Sequence, residues 1–147
     1  MLKSIKFGQL LPPETKDNGN FVGNTYFDTL GLAAALVLFN VGAGDIAIGS
    51  TAEGTPPYLE ECDTPGGAYT KITSSDLAAV IAADDDGKQI AIALDLAKSH
   101  KRYLAVNAPH SGDGTVGGIL QITVLGFPSD QFPKSAAEMG LKELIQV

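Results

Sequence analysis

Gly42, Gly44 and Ala47 match the spacing G-x-G-x-x-A directly after an apolar run, the pattern in which glycines let a backbone approach a pyrophosphate. That chemistry also needs a helix opening at the turn, whose N-terminal amides hold the anion. Only residues 45–48 separate Gly44 from Gly49, Pro56 and Pro57 follow, and no βαβ alternation surrounds the turn. We therefore read it as the end of a strand, with glycines that supply positive φ values. Asp84, Asp85, Asp86 and Gly87 raise the possibility of calcium, because hard cations take several oxygen ligands from tight turns. The twelfth position of that loop is Asp95 rather than glutamate and no flanking helices are indicated, so a solvated turn is expected.

The remaining reactive residues do not assemble a site at the level of sequence. His100 and His110 are the only histidines and form neither an i, i+4 pair nor a neighbour of cysteine, so no local zinc site exists. Cys62 is the only cysteine, which excludes an intrachain disulfide; an inert buried thiol is expected. Glu60 and Glu61 could act as acid and base in sugar chemistry, but adjacent strand residues point to opposite faces. No G-x-S-x-G elbow occurs. A glycan platform would require Tyr58, Tyr69 and Tyr103 to converge in a chain without tryptophan, and core packing is the expected role of these rings. No catalytic residue, metal site or cofactor is expected, and the chain is not read as an enzyme.

The elements that would position these residues read as strands. Seventeen glycines and eight prolines punctuate the 147 residues throughout, the rhythm of short strands joined by turns. Residues 33–41 (AALVLFNV from Ala34) are apolar on both faces, with Leu36 and Leu38 opposite Val37, Phe39 and Val41; this implies a central strand or one covered by another subunit. Residues 58–63 and 68–72 flank Thr64-Pro65-Gly66-Gly67 and read as a hairpin. Residues 89–96 alternate cleanly, with Ile90, Ile92, Leu94 and Leu96 on one side, and residues 101–108 and 117–127 complete the set. The expected fold is all-β, a β-sandwich or small barrel of about seven strands over residues 23–128. Residues 1–22 read as an extended N-terminal arm, because Pro12 and Pro13 remove two backbone donors. Its Ile5, Phe7, Leu10 and Leu11 lack an amphipathic period and are expected to bind a partner. In the tail, residues 129–147, Ser135 to Glu138 has the form of a capping box, and Leu141, Leu144 and Ile145 follow at near-helical spacing; a short helix or a partner-binding tail is expected.

Composition narrows the partners. With 17 acidic and 10 basic residues the chain carries a net charge of −7, which opposes nucleic acid and anionic lipid surfaces. No run approaches the ~20 apolar residues of a membrane helix, and the N-terminal stretch lacks a signal-peptide apolar core.

Four phrases occur in an order that resembles a family of small virion structural proteins of tailed bacteriophages and prophages. They are NTYFDTLGLAAALVLFNVGA (residues 24–43), YLEECDTPGGAYTKITSSDL (58–77), KRYLAV (101–106) and VLGFP (124–128). They are similar to the family's polar strand and VNVGA-like ending, its L-Q-E-S-D-D-G segment, its K-R-Y-L-R-V strand and its closing G-x-P. Cys62, Thr64 and Ala105 depart from that pattern at a serine, an aspartate and an arginine, so contacts made by those side chains are not carried over. The resemblance implies a virion component without enzymatic activity. Within that class the small, acidic, all-β chain is expected to decorate the head by binding the major capsid protein, and to form a homo-oligomer; the alternatives are a structural protein of the head–tail junction or tail, or a soluble glycan- or ligand-binding β-sandwich. A trimer suits local threefold axes, although the sequence does not itself select three over two.

Overall fold

The computed structural model describes residues 5–22, 25–49, 55–110, 115–128 and 141–147. The described residues form an all-β sandwich of two sheets with no helix. The large sheet has the order β1-β9-β4-β7-β10, from β1 (Lys6–Lys16), β4 (Ala34–Val41), β7 (Gln89–Asp95), β9 (Gly118–Phe127) and β10 (Glu143–Gln146). The small sheet has the order β2-β8-β5-β6, from β2 (Phe21–Val22), β5 (Tyr58–Cys62), β6 (Thr70–Lys71) and β8 (Tyr103–Ala108), with β3 (Phe27–Asp28) also paired to β8. All pairings are antiparallel except that of β10 with β7.

The alternation that defines each strand also defines the core. Val37 and Phe39 of β4, Ile90, Ile92 and Leu94 of β7, and Leu120, Ile122 and Val124 of β9 face Leu59, Leu104 and Val106 of the small sheet. β4 is the central strand of the large sheet, which is why both of its faces are apolar: Leu36 turns outward and joins a second small cluster with Ala91 and Ala93. The hairpin between β5 and β6 closes as its turn residues require, with the Gly67 amide donating to the Thr64 carbonyl at 3.1 Å.

Both chain ends depart from expectation. Residues 6–16 are the edge strand β1, paired along β9, so they are not a free arm. The register slips between Gln9 and Leu11, which lets the consecutive residues Leu10 and Leu11 both enter the core; their exposures are 0% and 1%. It slips again between Leu11 and Glu14, and Pro12 and Pro13 sit there, at a bulge of an edge strand, where a missing amide costs no ladder bond. At the other end the capping box lies outside the described residues, but Leu144 and Ile145 belong to β10 rather than to a helix. Ile145 packs against the core, opposite Ile92 in register. The sandwich therefore extends well beyond residues 23–128 on both sides.

The turn with dinucleotide-like spacing is a packing device. A Cβ on Gly44 would lie 2.7 Å from the Gly117 carbonyl oxygen, and one on Gly42 would lie 2.8 Å from Ile119, so space rather than positive φ requires glycine at both positions. The Asp45 carboxylate fixes the turn by accepting from the amides of Thr115, Val116 and Gly117 at 2.7, 3.0 and 2.8 Å. Those three donors hold Asp45 below the usual carboxylate range.

Candidate functional site

The outward face of the small sheet gathers all four tyrosines of the chain. Antiparallel register sets Cys62 of β5 opposite Tyr103 of β8 and Tyr58 opposite Asn107, so residues 58, 60, 62, 103, 105 and 107 share one face. The inward residues between them, Leu59, Leu104 and Val106, lie in the core. Pairing of Glu61 with Thr70 places Tyr69 beside Cys62 on the outward side, and Tyr26 meets Tyr103 edge-on, with centroids 5.2 Å apart at 86°. Burial, and then the neighbouring Cys62 thiol, push the Tyr69 phenol above its ordinary range. Lys71 lies over the Tyr58 ring at 4.6 Å and Arg102 over the Tyr103 ring at 5.0 Å. The tyrosines thus converge as a set that includes Tyr26, and within it Tyr103 is buried, as expected of a packed ring.

One end of this face is locked by interactions between distant segments. Arg102 donates to Asp28 through Nε at 2.9 Å and Nη2 at 2.8 Å, a bidentate pair between β3 and the residue preceding β8. The Arg102 hydrogen bonds, and then the Leu30 amide, hold the Asp28 carboxyl well below the usual carboxylate range. On the inward side of the same end, Glu61 Oε2 accepts from His100 Nδ1 at 2.9 Å and from the Lys101 amide at 3.0 Å. Lys101 Nζ donates to Thr70 Oγ1 at 3.0 Å.

Beside that pair is a cleft of about 430 Å³ at the end of the sandwich, whose walls include Glu61, Ser74, Lys98 and His100. Ser74 holds a left-handed backbone, φ 63°, and the buried Ser75 hydroxyl ties Leu59 to Ile72. His100 Nε2 is buried without a hydrogen-bond partner among the described residues, and through Glu61 the ring anchors the loop before β8. Among the described residues no group of three or more His, Cys, Asp or Glu side chains could hold a metal ion.

The aspartate turn divides by exposure. Asp84 and Asp86 are exposed, whereas Asp85 is buried and accepts from Lys88 Nζ at 3.0 Å, from Lys142 Nζ and from the Ala82 amide at 3.0 Å. Burial raises the Asp85 carboxyl, but the two lysines and the amide outweigh it and bring it down to about 2. Asp85 thereby braces the start of β10, a role no local motif announces because Lys142 lies far along the chain.

The four residues expected to bind a partner separate. Leu10 and Leu11 are core residues and cannot meet a partner, for the reason given by the β1 bulge. Ile5 is half-buried, and Phe7, opposite Leu125 on the outer side of the large sheet, is 71% exposed. Of these four, only Phe7 presents a large apolar surface. No protein-family model, curated protein or solved structure matches the chain.

Proposed function

We propose that this protein is a structural component of the particle of a tailed bacteriophage or prophage, a head decoration protein that binds the outside of the major capsid lattice. The observation that carries the reading is the interlocking of the phrases on which the resemblance rests. Asp28 from the first phrase takes the fork of Arg102 from the third, and Glu61 from the second accepts the amide of Lys101 from the third. These contacts join the three phrases in one sheet, as the elements of a shared fold would be joined. The reading carries no catalytic activity and needs no cofactor. It includes assembly as a homo-oligomer, with a trimer the form that matches a local threefold axis. Many weak contacts repeated over a shell give secure attachment through avidity.

The test is addition of the purified protein to capsids that lack it, followed by sedimentation and imaging of the particle. Saturable binding in a repeating array on the shell is the expected outcome. Binding confined to the neck or tail would keep the virion role and remove head decoration; no binding to any part of the particle would remove both.

A further inference from the structure

We infer that the open edge of β10 receives a second copy of this chain, β10 against β10 in antiparallel, which joins two large sheets into one; the inference stands on the fold and does not need the function proposed above. Val147 donates to the Ala93 carbonyl at 2.9 Å and accepts from the Asp95 amide at 3.2 Å, so by strand alternation residues 143, 145 and 147 bond to β7. The amides and carbonyls of Leu144 and Gln146 then point away from β7, and among the described residues no strand pairs with them. The other described edges are protected. β1 carries two bulges and Pro12-Pro13, and β2, β3 and β6 are two residues long, too short to template a partner. β10 keeps an unbroken register with β7 and contains neither proline nor glycine.

The occupant is a second copy because the strand complements itself. Two-fold pairing of the outward residues sets Leu144 opposite Gln146 of the other copy, Glu143 opposite Val147, and Ile145 opposite its own counterpart, so no like charges meet. Ile145 and Val147 pack against the core yet stay half-buried, and a second Ile145 opposite the first would extend the core across the junction. Charge agrees with this register. Residues 143, 145 and 147 share the inward face, so the incoming Glu143 enters beside Val147, where clefts of about 430 and 410 Å³ share Gln146, Val147 and Lys98 as walls. Lys98 forms no ion pair among the described residues. The carboxylates in those walls are already engaged, Glu61 by His100 and the Lys101 amide, Asp95 by the Ala97 amide. Glu143 makes one long bond through Oε1, to the Ala78 amide at 3.3 Å, which leaves Oε2 for Lys98 of the other copy.

The experiment measures the oligomeric mass of the full chain by sedimentation over a range of concentrations, with circular dichroism and a melting curve to verify folding. Gln146→Pro removes an outward amide at an exposed residue and leaves the Val147 bonds to β7 in place. The expected result is a wild-type dimer and a folded Gln146→Pro variant whose dimer is weaker by about tenfold or more. Glu143→Lys and Lys98→Glu should each weaken the dimer, and the two together should restore it. Ile145→Cys should give a disulfide-linked dimer on mild oxidation, because the two residues 145 form a non-hydrogen-bonded pair with Cα atoms about 4.5 Å apart. A wild type that stays monomeric at every concentration overturns the inference and leaves the decoration role untouched. An oligomer that folded Gln146→Pro forms equally well also overturns it, and if that oligomer is a trimer the threefold assembly proposed above is kept. Should Gln146→Pro fail to fold, the charge exchange decides, and a double variant no tighter than the single ones overturns the inference. A wild type that dimerises through β10 but does not bind capsids removes the decoration role and leaves this inference standing.

Discussion

At the residue scale, single carboxylates do the work of joining distant parts of the chain. Asp85 is buried with two lysines on it, and Asp85→Ala removes an acceptor from both, along with the amide bond that closes its own turn. Hydrogen bonds to charged groups contribute about 1.5–3 kcal/mol, and a loss of that size is expected in urea denaturation. The pH dependence has a definite sign. The Asp85 carboxyl titrates near about 2 in the fold against an ordinary value of 3.8, so its contribution is present in full above about pH 4 and is lost as pH falls toward 2. Urea midpoints measured across that window should fall for the wild type and change less for Asp85→Ala. Asp45 acts similarly on three amides, and Asp45→Asn should speed hydrogen exchange at Thr115, Val116 and Gly117 while core amides stay protected.

At the scale of the elements, an inner strand and an edge strand of the large sheet differ in what holds them. β7 lies next to the centre, and Ile92 is fully buried between β4 and the small sheet. Ile92→Ala should cost about 2–5 kcal/mol in chemical denaturation, and an unchanged midpoint would show that this face is not packed as described. β1 is an edge strand guarded by two bulges and a Pro-Pro pair, devices that prevent another strand from adding to it. Gly117, at the entry to β9, has φ 84°, and an added Cβ would lie 2.2 Å from the Lys16 carbonyl oxygen. Gly117→Ala should therefore destabilise by about 1–2 kcal/mol through backbone conformation alone, with the clash adding to it.

At the scale of the whole molecule, the chain ends are part of the sandwich. Deletion of residues 1–20 removes β1 and takes Leu10 and Leu11 out of the core. Each buried leucine contributes about 1.5–3 kcal/mol, against a total stability of about 5–15 kcal/mol for a domain. The truncated chain should lose cooperative unfolding, as judged by a broad or absent thermal transition; a variant that folds and melts sharply would show that β1 is dispensable.

The sequence by itself determined the fold class and most of the framework. Period-two alternation in residues 89–96 and 117–127 placed β7 and β9 and their inward residues, because an isolated strand already fixes which side chains share a face. The turn at residues 64–67 was equally local. Tertiary structure decided everything that depends on pairing between distant segments. The core position of Leu10 and Leu11 needs a bulge defined only against β9, and the strand character of residues 143–146 needs β7 beside it. The shared face of Tyr26, Tyr58, Tyr69 and Tyr103 needs the register of four strands, and the burial of Asp85 needs Lys142. Local periodicity tells which way a side chain points along its own strand; only strand order and register tell what stands opposite it.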